Sequence, residues 1–296
     1  MATPILFDVH RGRCDPEQPQ IHADDLSVVR GDGIFETLLV RDGRACNAPR
    51  HLERFVGGAA RMDLPEPSLP LWSAAASTAA AAWAAENDDA DGLLRLVYTR
   101  GREAAPASAD DPQRATSLVM VGPVGPAAAR ARTDGVSACL LERGYPTDFA
   151  ARAPWQLIGV KTLSYAANMA ALRHAAIGGF GDVVYTSGDD FVLEGPRSSV
   201  VAVDGRSLRT PPIESGILPG TTVAAIFERA EAEGWSTAYT PLRPDDLRAA
   251  DSVWLCSSVT IAARVIRLDD VDLRRDGDAP AAARFADLAS RAVVLA

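Results

Sequence analysis

Lysine is almost missing from this chain. Of its thirty basic residues twenty-nine are arginine, and the single lysine is Lys161. Histidine is scarce too. His10, His22, His51 and His174 stand far apart and no HExxH pattern occurs, so no metal site is indicated. The four cysteines (Cys14, Cys46, Cys139, Cys256) form no CxxC pair and read as reduced thiols of a cytoplasmic protein. Positive charge is in the minority, with a net charge of −9. Without a cationic excess to neutralise phosphates, a general nucleic-acid surface is not expected, although a local basic pocket can still take a small anion. No apolar run reaches the ~20 residues of a membrane span. The nearest, Ala74 to Ala85, is short and only weakly apolar. Met1 to Val9 is too short for a secretory leader, and Arg11 and Arg13 follow it at once. At 47% hydrophobic, the chain is too apolar for disorder.

The chain is also rich in alanine, so some broad pressure has replaced lysine by arginine. Arginine can take over most ion-pair roles of lysine. It cannot form an imine, and it keeps its proton near neutral pH. A lone surviving lysine is therefore a candidate for chemistry that only an amine performs, set against chance survival on the surface.

The pattern along the chain reads as two α/β (α+β) lobes. Ile5 to Val9, Ile34 to Val40, Gly92 to Thr99 and Thr116 to Val121 are strand-like, and Asp42-Gly43 marks a hairpin turn. Pro49 to Met62 is a helix whose Leu52, Phe55 and Ala59 share a face, and Ser73 to Glu86 is a second helix. Residues 101–115 read as a loop. The Gly/Pro-containing stretch 123–134 reads as a linker between a domain at 1–122 and another at 135–296. Beyond it come strands at Val136 to Leu141, Gln156 to Val160, Asp182 to Thr186, Phe191 to Leu193, Ser199 to Val203, Ser252 to Cys256 and Val265 to Leu273. Helices are expected at Ser164 to Ile177, Thr221 to Glu233 and Ala281 to Leu295.

Lys161 is then expected at the end of an apolar strand, a rigid and partly desolvated platform on which an amine is more nucleophilic. Glu194, in VLEGPRSS, is an acid in an apolar setting. If buried it needs a partner such as a protonated pyridine nitrogen; otherwise it is a turn residue at the surface. Gly216 to Thr222 (GILPGTT) runs into a helix, where free N–H groups and the hydroxyls of Thr221 and Thr222 could hold an anion, although many helices start this way. Ser257 and Ser258 follow the strand VWLC and suit either phosphate contact or an ordinary turn. Arg54 and Arg100 fit a ligand or a plain surface role.

The order of the pieces is more specific than any one of them. GDGIFET, HLER, TRG, KTLSYAANMAALRHA, VLEG, TPPIESGILPGTT and WLCSS follow one another over residues 31–258. This resembles the fold-type IV pyridoxal-phosphate enzymes, which include branched-chain and D-amino-acid aminotransferases and 4-amino-4-deoxychorismate lyases. The wording around Lys161 and Glu194 is most similar to actinobacterial aminodeoxychorismate lyases. The resemblance implies a smaller N-terminal and a larger C-terminal domain with pyridoxal 5'-phosphate between them. It implies that Lys161 holds the cofactor covalently and then moves the proton, and that Glu194 pairs with the ring nitrogen. Arg54, Thr221, Thr222 and Ser258 are implied around the phosphate, and Tyr165 near the ring hydroxyl. It also implies a homodimer with sites at the subunit interface.

Departures bear on the reaction. Ser199 stands where relatives often carry Asn, and GTT replaces the commoner GIT. TRGREAAPAS lacks the Arg-x-His pair with which D-amino-acid aminotransferases hold a carboxylate, leaving Arg100 and Arg102 as candidate carboxylate contacts. The expected activity is conversion of 4-amino-4-deoxychorismate to 4-aminobenzoate and pyruvate. The alternatives are transamination of branched-chain or D-amino acids, and a non-catalytic cofactor-binding protein. Retention of Lys161 and Glu194 together disfavours the last.

Overall fold

The computed structural model describes residues 2–294, and the chain divides into two compact units. The first runs to Gly125 and recruits the later segment Val160–Tyr165; the second comprises Pro126–Gly159 and the described residues 166–294. The last expected helix is found at Ala279–Val294, and its expected final residue, Leu295, lies outside the described residues.

In the first unit the strands are β1 (Ile5–Asp8), β2 (Gly12–Cys14), β3 (Gly33–Arg41), β4 (Arg44–Ala45), β5 (Gly92–Thr99), β6 (Gly101–Arg102), β7 (Ala105–Pro106) and β8 (Ser117–Pro123). Six of them form an antiparallel sheet in the order β2-β1-β8-β5-β3-β4. Asp42 and Gly43 both have positive φ, 50° and 69°, which is the conformation a tight two-residue hairpin between β3 and β4 needs. The helices are the single turn α1 (Leu26–Arg30), α2 (Ala48–Arg61) and α3 (Leu69–Glu86). Helix α2 buries Leu52, Phe55 and Ala59 as the spacing predicts, and it buries His51 with them. Helix α3 starts four residues before its expected Ser73, because Leu69 and Pro70 open its first turn. It lays Trp72, Ala76, Ala79, Ala80 and Trp83 across β1, β5 and β8. Phe55, Trp72 and Tyr98 meet ring to ring with centroids 4.7–6.0 Å apart. The 101–115 loop starts with the short β6–β7 hairpin and carries a 3-10 turn at Pro112–Arg114.

The second unit holds the strands β9 (Val136–Glu142), β10 (Asp182–Thr186), β11 (Ser199–Asp204), β12 (Ser207–Thr210), β13 (Ser236–Tyr239), β14 (Ser252–Ser257), β15 (Ile261–Leu268) and β16 (Val271–Asp272). They form one mixed sheet in the order β10-β9-β15-β14-β11-β12-β13, with β16 on β15. Its helices are α4 (Pro126–Asp134), α5 (Phe149–Arg152), α6 (Ala166–Ile177), α7 (Thr221–Ala232), α8 (Pro244–Ala249) and α9 (Ala279–Val294). Helices α7 and α9 pack on each other and over β14 and β15. The core includes Val184, Val200, Val253, Leu255 and Val265.

Three expectations are corrected. Phe191 to Leu193 is not a strand and makes only an isolated bridge, Val192 with Thr186. Most of the 123–134 stretch is helix: Pro126 opens α4, and the following run of Ala and Arg favours helix once Gly125 is passed. Gln156 to Val160 is not a strand. Pro154 starts a short 3-10 turn, and Leu157 and Gly159 take positive φ (53° and 77°), so the chain turns where an extended segment was expected. All four cysteines are free thiols. Among the described residues no helix is long and apolar enough to cross a membrane.

Candidate active site

Lys161 is positioned by β3. The Phe35 N–H donates to the Lys161 carbonyl (3.1 Å), the Leu163 N–H donates to the Gly33 carbonyl (2.8 Å), and Ile34 and Thr162 form an antiparallel bridge. The lysine is thus held from both sides by the start of a sheet strand, not carried on a strand of its own. The glycines of GDGIFET make this approach possible. A Cβ on Gly33 would sit 2.7 Å from the Tyr98 carbonyl oxygen and 2.8 Å from a Leu163 methyl. Gly31 has φ +70° and lies against Ser164, whose hydroxyl donates to the Gly31 carbonyl. The half-buried Lys161 ammonium nitrogen lies 4.5 Å from the centroid of the Phe35 ring, and Tyr165 meets that ring edge-on at 5.4 Å. Phe35 therefore touches both residues expected around the cofactor's reactive end, a part that sequence reasoning did not assign to it.

Arg54 has partners that sequence reasoning missed. Its Nε and Nη2 each donate to one oxygen of Glu36, both at 2.7 Å, and His51 Nδ1 lies 2.7 Å from Glu36 Oε2. Glu36 and His51 are each 1% exposed. Burial opposes a charge on Glu36, but Arg54 and His51 outweigh it and hold the carboxyl well below the usual carboxylate range. Burial pushes the His51 imidazole below its ordinary value, with Arg54 and Lys161 adding to the effect and Glu36 opposing it. An ionised carboxylate only accepts hydrogen bonds, so His51 Nδ1 is the donor. The signal was present in the sequence: an acid one residue beyond Phe35, whose N–H holds the Lys161 carbonyl, and an HxxR pair on one side of α2.

In the second unit, Glu194 enters a tight turn. Its carbonyl accepts from the Tyr185 N–H, and the Gly195 N–H donates to the Ser198 carbonyl. The carboxylate is only 12% exposed, and it is partnered. Oε1 accepts from Arg143 Nη1 and Oε2 from the Leu218 N–H, both at 3.0 Å. Arg143 in turn lies over the Tyr185 ring, whose hydroxyl donates to Asn168. Neither Arg143 nor Leu218 was expected. Thr221 and Thr222 open α7 and are buried, 6% and 3% exposed. Gly220 is the N-cap and provides no side-chain cap, so the first-turn N–H groups are not taken by one. A Cβ at Gly220 would collide with the Ser199 hydroxyl, which accounts for glycine before the helix. Ser258 is the first residue after β14. Ser198 Oγ is buried with no hydrogen-bond partner.

Each unit by itself offers groups that suit part of a phosphorylated pyridine aldehyde. An amine is available for the aldehyde and an ionisable acid for the ring nitrogen. A helix start with two buried hydroxyls suits a phosphate dianion, and the orphaned Ser198 hydroxyl suggests a polar guest that completes it.

The two candidate carboxylate contacts fare differently. Arg100 donates through Nε and Nη2 to Asp32, and through Nη1 and Nη2 to the carbonyls of Asp63 and Met62. It ties β5 to the end of α2, which leaves little for a substrate. Arg102 lies on the exposed β6–β7 hairpin and contacts Asp24 only through Nε, at 2.9 Å and 3.1 Å.

Comparison with known proteins agrees with this chemistry. The amino-transferase class IV family matches residues 33–268. The chain is 50% identical over 286 residues to a protein of Mycobacterium tuberculosis named bifunctional aminodeoxychorismate lyase / D-amino acid transaminase, covering 94% of this chain and 95% of that one. Its fold is similar to that of a hypothetical aminotransferase from M. tuberculosis in a pyridoxal-phosphate-bound form, with TM-score 0.93, 48% identity and 99% of each chain covered. It is also similar to a fold IV transaminase from Curtobacterium pusillum, with TM-score 0.88, 37% identity and 98% and 97% covered. The chain therefore belongs to the amino-transferase class IV family and is a fold-type IV enzyme that uses pyridoxal phosphate.

Proposed function

We propose that the enzyme converts 4-amino-4-deoxychorismate to 4-aminobenzoate and pyruvate, and that the same residues also transaminate D-amino acids with a 2-oxo acid. The observation that carries this reading is 50% identity over 94% of the chain to a relative named for both activities. Bound pyridoxal phosphate would supply an electron sink for the charge left when a proton is removed beside the substrate amine. Lys161 would hold the cofactor and then take that proton; Phe35 and the β3 backbone fix where its amine stands. Glu194, steadied by Arg143 and the Leu218 N–H, would face the ring nitrogen. Arg54, Thr221, Thr222 and Ser258 would hold the phosphate, and Tyr165 would lie near the ring hydroxyl. In the lyase reaction the C–O bond to the pyruvyl group breaks as the ring becomes aromatic, which drives the step. In transamination Lys161 would instead return the proton to a different carbon. Arg102 is the candidate contact for a substrate carboxylate, and we propose a homodimer.

The test uses holoenzyme with freshly generated aminodeoxychorismate and no 2-oxo acid. Catalytic pyruvate release with matching 4-aminobenzoate supports the lyase. No pyruvate, together with bleaching of the cofactor absorbance by D-alanine, would leave only the transaminase. Wild-type turnover of either substrate by Lys161→Ala would overturn the assignment of Lys161.

A further inference from the structure

Glu36 and His51 are each 1% exposed, and neither is given a role in holding the cofactor. Glu36 comes from β3, one residue after Phe35, which holds the Lys161 carbonyl. His51 and Arg54 come from α2, three residues apart and so on one side of the helix. Three donors converge on one carboxylate: Arg54 Nε on Oε1, and Arg54 Nη2 and His51 Nδ1 on Oε2, each at 2.7 Å. A long arginine side chain has many rotamers, and a two-point fork fixes both its position and the plane of its guanidinium. With Nε and one Nη2 hydrogen committed to Glu36, the guanidinium edge that carries Nη1 is turned in a set direction. A clamp of the helix onto the sheet would not need so specific a geometry; an apolar pair of similar volume would serve as well or better.

We infer that Glu36 is a positioning residue that aims the outer edge of Arg54 at the cofactor phosphate, with His51 locking Glu36 in place. One strand would then set both ends of the cofactor, Lys161 through its backbone and Arg54 through Glu36. This rests on the phosphate-binding role proposed for Arg54, and the experiment separates the two ideas.

Cofactor-free protein prepared from the holoenzyme is titrated with pyridoxal phosphate and with pyridoxal, which has the same ring and aldehyde but no phosphate. Binding is followed by the absorbance of the bound chromophore for wild type, Glu36→Gln, Arg54→Gln and the double variant. Glu36→Gln keeps the shape but leaves one accepting oxygen, so the two-point fork cannot form. The expected result is that Glu36→Gln raises the dissociation constant of pyridoxal phosphate tenfold or more and changes that of pyridoxal less than twofold. The double variant should be no worse than Arg54→Gln. If Arg54→Gln discriminates between the two ligands and Glu36→Gln does not, the pair only fastens α2 to β3 and the inference falls. If Arg54→Gln itself fails to discriminate, the phosphate role of Arg54 falls and takes the inference with it. Should Glu36→Gln not fold, Glu36→Asp is read the same way, because its shorter side chain keeps the charge but cannot reach both Arg54 and His51.

Discussion

Gly33→Ala would place a methyl group 2.7 Å from the Tyr98 carbonyl oxygen, 2.8 Å from Leu163 Cδ1 and 3.0 Å from Thr99 Cα. The leucine methyl can rotate away. The two β5 atoms cannot, because β3 and β5 are paired over eight successive residues from Gly33 to Val40. Relief must come from the 160–165 segment or from peeling the start of β3. Either movement strains the bonds from Leu163 to Gly33 and from Phe35 to Lys161. Overpacking costs typically 1–3 kcal/mol, and each backbone bond is worth about 1 kcal/mol, so a loss of about 2–4 kcal/mol is expected. For a protein of this size that lowers the melting temperature by about 3–6 °C. Turnover should suffer more than the fold if Lys161 reacts as proposed, since displacing a reacting group by about 1 Å can cost on the order of 100-fold in rate. The assay pairs differential scanning fluorimetry with pyruvate release at saturating cofactor and substrate. Wild-type melting and wild-type turnover in Gly33→Ala would refute the argument that this glycine exists to admit the lysine segment. A lower melting temperature with unchanged turnover would show that β3 does not control the position of Lys161.

Gly57 lies on the exposed side of α2 with nothing within 4 Å of a would-be Cβ, so Gly57→Ala should stabilise by about 0.5–1 kcal/mol, read as a higher urea midpoint. Burial pushes the Tyr98 hydroxyl up to about 12, against a small opposing pull from Arg100. A raised value favours the protonated native state below pH 10, and the stability it confers is lost as the pH climbs from about 10 to 12, on the order of 2 kcal/mol in all. The fall in urea midpoint between pH 9 and 11.5 should therefore shrink in Tyr98→Phe; an identical fall would contradict it. Arg100→Ala should lower the melting temperature by several degrees, since four hydrogen bonds worth roughly 0.5–1 kcal/mol each are lost. A large rise in KM without that loss of stability would instead make Arg100 a substrate contact.

Much of the chemistry was legible in the chain itself, because it depends on residue identity. Only one side chain can offer a primary amine, and the motif order around Lys161 and Glu194 points to one family. The strands and helices with strong periodicity, such as Ile34 to Val40 and Pro49 to Met62, also lie close to where the pattern puts them. The errors lie where local signals compete. Gln156 to Val160 has the composition of a strand, but a proline turn and two left-handed residues bend it. The run at 126–134 has linker-like neighbours, but its own residues prefer helix.

The partners could not be read locally. Lys161 is separated from Phe35 by 126 positions, and Arg143 from Glu194 by 51. Which strand holds the lysine, which carboxylate orients Arg54, and why Arg100 is occupied by Asp32 are consequences of sheet register and of helix placement on the sheet. Sequence determines which groups exist and their intrinsic reactivity. Tertiary structure decides which of them meet, because a buried charge survives only beside its partner, and the fold selects that partner from residues far apart in the chain.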